Sequence, residues 1–496
     1  MLLQLASKAI STKFLLGVFA FSLLAHIILF NFPSQVVFDE IHFGTFVRSY
    51  TTGEYYFDIH PPLGKLLIAG TAELGGIQLP SDLTRIGQPY EPKDLFFLRI
   101  FPLLTGILLP LLIYLLALEL TKSTWTAFLA GCMVAFENAL LLQSRFAFLD
   151  IPLLFFGFAA LFAFLRQEHT RNIRIKLLLL LAAGFLFGAS YSIKWTALAL
   201  LVPLSIIALY SFWQSRSLKW FAVKIGIILT ASLAVYVLSF AIHFALLTQP
   251  GPGDAFFETG FRQKPFFEKF LSLNKVMYSS NKSIQTQHPY QSSWYQWPLN
   301  QKPIFYWDFI MPESERQEAA QRLQELTLQL QSNPQNIGEI SAEISHLQTE
   351  ITSWQGKRQI WLLGNPIVWF ASLLSLVGGI VLLFAKVFTK RPRDISALLL
   401  FVLLLSWLTS YAPFALINRP LFLYHYFFPL LFSILLASYS ISWLIKKLIP
   451  SRYQLTTVLL FSGIIALGFL LVSPVTYGLV FAPEGWYSQT ILKLFL

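Results

Sequence analysis

Two short motifs hold the ionisable side chains best placed to do chemistry: Phe38-Asp39-Glu40-Ile41-His42-Phe43 and Phe57-Asp58-Ile59-His60-Pro61-Pro62-Leu63. A carboxylate beside a hydroxyl can take its proton as a general base. Cations stand further along the chain: Arg99, Arg145 followed by Asp150, Lys194 in Ser192-Ile193-Lys194-Trp195, and Arg419 followed by His425. Arginine and lysine at headgroup level suit a lipid phosphate. Carboxylates and cations together fit glycosyl transfer from a lipid-linked sugar phosphate. The base deprotonates the acceptor and the cations stabilise the departing phosphate. The chain has no Gly-rich phosphate loop of the kind a nucleotide donor would need.

Such charges are conspicuous because the rest of the chain is apolar. Of its 496 residues 55% are hydrophobic and 12% charged, where soluble domains carry about 25% charged residues. Ionisable groups against a membrane span are functional by default. Apolar stretches long enough to cross a bilayer predict an all-α polytopic membrane protein with eleven spans: 14–32, 96–118, 124–142, 148–165, 177–193, 195–213, 221–247, 366–389, 395–417, 423–445 and 455–480. The first has no following A-x-A-like site and is read as a retained span. The single Cys132 excludes a disulfide framework or a cysteine metal site.

With the N-terminus (Lys8, Lys13) cytoplasmic, the basic clusters around residues 166–176, 216–224, 386–393 and 446–452 all fall inside. The net charge of +11 is then largely topological and does not imply nucleic-acid binding. Arg99, Arg145, Asp150, Lys194, Arg419, His425, Asp39 and Glu40 gather at the outer level. The competing reading for Arg145, Asp150 and Arg419 is a snorkelling or interhelical structural charge. A transporter would instead show mid-bilayer charges and internal symmetry, and the sequence has neither.

The expected organisation is an N-terminal membrane module over 1–247 with a catalytic outer loop over 33–95, an outer loop over 248–365, and a C-terminal four-helix module over 366–496. The first loop holds eight acidic and four basic residues. Its Leu66–Leu79 and Glu40–Tyr50 segments predict interfacial helices. The second predicts a helical hairpin over about 312–356, broken at Asn333-Pro334.

At these residues the chain resembles the protein O-mannosyltransferases, multi-spanning enzymes of the GT-C class. Beyond the two opening motifs, the resemblance rests on Leu98-Arg99-Ile100-Phe101, Gln143-Ser144-Arg145-Phe146-Ala147-Phe148-Leu149-Asp150, and Ser192-Ile193-Lys194-Trp195. It continues through His288-Pro289-Tyr290-Gln291-Ser292-Ser293-Trp294-Tyr295-Gln296-Trp297-Pro298, Leu363-Gly364-Asn365-Pro366 and Tyr424-His425-Tyr426-Phe427-Phe428-Pro429. They occur in the family's order over most of the chain.

The resemblance implies a GT-C fold and an inverting transfer of mannose from a polyprenyl-phosphate-mannose donor to Ser/Thr hydroxyls of proteins, with no metal and no cofactor. It implies Asp39 as base with Glu40 beside it. It puts Arg99 and Lys194, with Arg145 and Arg419, at the donor phosphate. Site structure or acceptor contact falls to His60, Asp58, Asp150, His288, Tyr290, Trp294 and His425. For His60, His288 and His425 the competing reading is a hydrogen-bonded structural histidine. The second outer loop is too short and helical for the β-rich MIR domain of eukaryotic members. This resembles bacterial members and places the chain in a bacterial plasma membrane, active site outward. Partners would be the lipid donor, acceptor protein segments and membrane lipids; homodimers occur in the family, and nothing in the sequence marks such an interface. The alternative is a related transferase using another lipid-linked sugar or a glycolipid acceptor, like the lipid A aminoarabinose transferases.

Overall fold

The computed structural model describes residues 2–480 except 81, 82, 84, 310–312, 333–336, 356–357 and 389–394, together with scattered positions beyond 480. The expected hairpin break at Asn333-Pro334 and the basic residues Lys390, Arg391 and Arg393 lie outside the described residues. In lipid, each backbone N–H and C=O must be satisfied inside its own segment, and the long apolar stretches accordingly form helices. The N-terminal series is α1 (Leu2–Ile27), α2 (Glu40–Thr52), α3 (Leu63–Gly75), α4 (Pro92–Thr121), α5 (Thr124–Ala135), α6 (Asn138–Ser144), α7 (Asp150–Glu168), α8 (Ile173–Tyr191), α9 (Leu201–Ser215) and α10 (Leu218–Leu246). After α11 (Phe266–Ser283) comes a ribbon, β1 (Ile304–Asp308) and β2 (Gln359–Leu362), with α12 (Glu313–Ser332) and α13 (Ile337–Gln355) inserted between its strands. Four long helices close the chain: α14 (Pro366–Phe388), α15 (Ile395–Tyr411), α16 (Phe427–Leu448) and α17 (Ser451–Tyr477).

Among the described residues ten helices are long and apolar enough to span a membrane, or eleven when α5 and α6 count as one span bent by 59°. The expected span at 124–142 is therefore broken, and Glu137 explains where. A helix break frees backbone donors and acceptors that need partners. The Glu137 carboxylate accepts from the Ala139 N–H at 3.1 Å, the Asn365 N–H at 3.2 Å and the Trp369 indole N–H at 3.1 Å. Asn365 donates to the carbonyls of Phe136 at 2.8 Å and Ile465 at 2.9 Å. Gly468 leaves the room for this, since a Cβ there would collide with the Asn365 amide. One knot thus joins the α5–α6 break, the start of α14 and the middle of α17.

Helix α7 packs on α4 and α8, α8 on α10, and α16 on α14, α15 and α5. The two expected helices of the first loop are present as α2 and α3, which pack on each other, α3 also lying on α4. Helix α4 starts a turn earlier than expected, at Pro92. The ribbon was not anticipated. It is antiparallel, pairs Ile304 with Leu362 and Asp308 with Gln359, and carries an irregularity between Phe305 and Trp307. It sets Tyr306, fully buried, under the first loop. There the Phe38 N–H donates to the Tyr306 carbonyl at 3.1 Å and the two rings stack at 4.8 Å. Phe38 adopts φ +37°, a region that side chains other than glycine rarely occupy.

The loop is pinned by a buried ion pair. Arg99 Nε and Nη2 donate to Glu40 Oε1 and Oε2 at 2.8 and 2.7 Å. Nη1 reaches the Pro33 carbonyl and Nη2 the Gln35 carbonyl, each at 2.9 Å. Glu40 also accepts from the backbone N–H groups of Val37 at 3.1 Å and Ala147 at 2.9 Å. Both side chains are 0% exposed, and the guanidinium lies over the Phe146 ring at 4.7 Å. This sets both residues apart from their expected places as catalytic carboxylate and phosphate ligand: the polar atoms of Glu40 and Arg99 are bonded to each other and to backbone.

Removing one partner of a buried pair strands the other, at a cost of about 3–5 kcal/mol. Arg99→Ala will lower the thermal unfolding midpoint in detergent. Arg99→Lys will not restore it, since an ammonium cannot span the carboxylate and two carbonyls. A variant with native stability and only a raised donor KM would contradict the clamp.

Candidate active site

The clamp leaves Asp39, one residue before Glu40, facing a cavity of about 860 Å³. Five segments bring their ionisable groups to it. The first loop supplies Asp39, His42, Asp58 and His60; the α6–α7 and α8–α9 turns supply Asp150 and Lys194; the segment after α11 supplies His288; and the α15–α16 connection supplies Arg419, Tyr424 and His425. Eight of the thirteen residues singled out from the sequence line this one space.

The other five do not. Besides Glu40 and Arg99, Arg145 is buried away from the cavity, bonded to the Leu29 carbonyl with its guanidinium 4.5 Å from the centre of the Tyr477 ring. In place of its expected position at the donor phosphate, it lies between the end of α1 and the end of α17. Tyr290 packs against Phe305 and Trp361 of the ribbon. Trp294 stands on Tyr411 and lines an adjoining groove instead.

Within the cavity the charges are ordered in chains. Lys194 Nζ donates to Asp150 Oδ1 at 2.7 Å, and Gln143 Nε2 donates to Asp150 Oδ2 at 2.8 Å. The Tyr306 hydroxyl donates to the Gln143 carbonyl oxygen. This relay runs from the lysine back to the residue stacked beneath Phe38, and so ties the cation to the loop that carries Asp39. The Lys194 ammonium also lies 5.4 Å from the centre of the Tyr424 ring. Asp58 is paired with Lys65 of α3, whose ammonium also reaches the His60 carbonyl at 2.8 Å. His425 stacks on Trp297 at 5.9 Å.

Electrostatics separate the groups. Burial pushes the Asp39 carboxyl up to about 6, with Asp150 and Asp58 adding to the effect and His42 and Lys194 opposing it. A carboxylate there is a stronger base than an exposed one, yet still ionised near neutrality. Burial, with Lys194, Lys65 and Arg419 nearby, holds the His60 imidazole well below its ordinary range and therefore neutral. One flank is apolar, formed by Leu198, Ala199 and Val202 on one side and Pro413, Phe414 and Ile417 on the other. It runs out to exposed Leu198, Leu201 and Leu416, the last 85% exposed. Among the described residues no three His, Cys, Asp or Glu side chains converge as a metal site would need.

Sequence reasoning passed over His42, Tyr424, Gln143 and Tyr306. The first three stand inside quoted motifs, so the signal was present without a role. Tyr306 had none, because only the ribbon brings it there. Glu137 and Asn365 were also passed over, although Glu137-Asn138 interrupts an apolar stretch, which is itself a flag.

Two family models match, end to end, almost the whole chain. Residues 16–248 match "Dolichyl-phosphate-mannose-protein mannosyltransferase", and residues 266–494 match "C-terminal four TMM region of protein-O-mannosyltransferase". Dolichyl-phosphate-mannose–protein mannosyltransferase 1 of Saccharomyces cerevisiae is 34% identical over 49% of this chain and 30% of its own length. Protein O-mannosyltransferase 1 of Drosophila melanogaster is 34% identical over 46% of this chain and 27% of its own. The chain thus spans about 30% of the length of these relatives. In fold it superimposes on a solved S. cerevisiae protein O-mannosyltransferase complex bound to the sugar donor, with TM-score 0.80, 19% identity, and coverage of 95% of this chain and 90% of that one. An Archaeoglobus fulgidus oligosaccharyltransferase in the apo form gives TM-score 0.53 at 13% identity, covering 97% of this chain and 57% of that one. With both halves matched in order and the GT-C architecture in place, the chain is a multi-pass membrane protein that belongs to the protein O-mannosyltransferase family.

Proposed function

We propose that the chain transfers mannose from polyprenyl-phosphate mannose to Ser/Thr hydroxyls of proteins, with inversion at the anomeric carbon. The observation that carries this reading is one cavity in which a carboxyl raised to about 6 shares space with Lys194 and Arg419 and with an apolar flank. The flank suits an isoprenoid tail, and the two cations suit the phosphate that follows it. The acceptor hydroxyl sits at Asp39. Its proton passes to the carboxylate as its oxygen bonds to the anomeric carbon. The bond from that carbon to the phosphate oxygen breaks, its electrons leave with the polyprenyl phosphate, and Lys194 and Arg419 stabilise the charge that develops. Asp150 holds Lys194 in place until the phosphate shares it. The membrane we assign is a bacterial plasma membrane, on the second outer loop being too short and helical for a MIR domain; its basic clusters put the N-terminus on the cytoplasmic side and the cavity outward.

Radiolabelled transfer from polyprenyl-phosphate mannose to a Ser/Thr peptide tests the reading directly. Asp39→Asn, nearly isosteric, will lose about 10²- to 10⁴-fold in rate while unfolding at the wild-type midpoint; full activity would remove Asp39 as base. Transfer only from another lipid-linked sugar, or only to a glycolipid, would move the assignment to an aminoarabinose-transferase-like enzyme.

The pH profile has a fixed sign. The base works ionised, so kcat/KM will rise as pH passes through about 6 and level above it. Lys194 lowers the Asp39 pKa, so Lys194→Gln will move that limb to higher pH and raise the donor KM. An unmoved limb and an unchanged donor KM would take Lys194 out of the site.

A further inference from the structure

A second, smaller groove of about 380 Å³ adjoins the cavity, and Gln287 and Arg419 line both. Beyond that junction the wall changes character. Gln285, Gln291, Gln296 and Asn418 line it, and among its lining residues Arg419 is the one that carries charge. The carboxamides are partly fixed in advance. Gln291 Oε1 accepts from the His288 N–H at 3.2 Å, and Gln296 Oε1 accepts from the Ser293 N–H at 2.8 Å. With each oxygen held by backbone, each Nε2 is left as a donor.

A wall of neutral amides pairs with carbonyl and N–H groups and selects no particular side chain. An apolar wall would select apolar residues and a charged one their counter-charges. We infer that this groove takes the acceptor as an extended polypeptide read through its main chain, and that Arg419 at the junction discriminates against a basic residue beside the acceptor hydroxyl. The inference rests on the protein-acceptor reading above and adds how that acceptor is chosen. It makes the chain tolerant of acceptor sequence but selective for backbone and for flanking charge.

The test uses the purified full chain, polyprenyl-phosphate mannose and three single-serine peptides: one with Glu flanks, one with Lys flanks, and one with N-methylated flanking amides. The Glu peptide should exceed the Lys peptide by about threefold in kcat/KM, the scale of one partly exposed charge pair. N-methylation should raise the peptide KM by about fivefold, the scale of a lost hydrogen bond, while the donor KM stays constant. Asn418→Asp places a carboxylate beside Arg419, the one charge lining the groove, and should abolish the Glu/Lys preference. Because both peptides are compared on one enzyme, a loss of folded protein cancels from that ratio. Equal use of all three peptides, or a preference that ignores Asn418→Asp, overturns the groove alone. Absence of transfer to every peptide overturns the protein-acceptor reading and this inference with it.

Discussion

The Glu40–Arg99 pair is the interaction on which the site depends. An outer loop has no lipid-imposed hydrogen-bond pattern of its own, and each carbonyl and N–H it buries needs a partner. This pair supplies several at once. It holds the carbonyls of Pro33 and Gln35 and the N–H groups of Val37 and Ala147, and so ties the first loop to α4 and to the α6–α7 turn. Asp39 inherits its position because it is the next residue along. Two adjacent carboxylates therefore have opposite fates. One is neutralised by an arginine in a closed network, and the other is left facing a cavity with its proton affinity raised.

The same division recurs around the cavity. Asp58 is held by Lys65, and Asp150 by Lys194 and Gln143, so neither carries an unanswered charge. Asp39 alone of the three has no ion pair or side-chain hydrogen bond among the described residues, which suits it to accept a proton. Lys194 and Arg419 line the same cavity, and in the mechanism we propose they answer the negative charge that develops on the departing phosphate. The apolar flank leads toward surfaces that only lipid would cover. In the proposed reading polar chemistry and lipid entry thus meet in one cavity, while the knot at Glu137 and Asn365 joins the N-terminal helices to α14 and α17.

Much of this was legible in the sequence, for physical reasons. Lipid makes helix obligatory, so span number and most boundaries follow from apolar length. The second-loop hairpin showed in its apolar spacing and the first-loop helix in a stretch apolar but too short to span, and the ordered motifs pointed to the family whose models match. What could not be read was which charges neutralise each other. Asp39 and Glu40 look equivalent as neighbours, and Arg99 and Lys194 look equivalent as cations in apolar sequence; only the fold, which pairs Glu40 at the start of α2 with Arg99 of α4 and Lys194 with Asp150, tells them apart. Arg145 likewise looks like a site cation, and only the packing shows it turned to Leu29 and Tyr477. The ribbon was missed because its strands lie about fifty residues apart, with a stronger helical pattern between them.

The central claim is that Asp39 acts as a base in a single displacement, and the stereochemistry of the product tests it most directly. Mannosyl-peptide made by the purified chain from a donor of known anomeric configuration can be examined by NMR. The account predicts the opposite configuration at the anomeric carbon, since the hydroxyl attacks from the face away from the phosphate. Retention would require a glycosyl-enzyme step and would contradict Asp39 as a base in favour of a nucleophile.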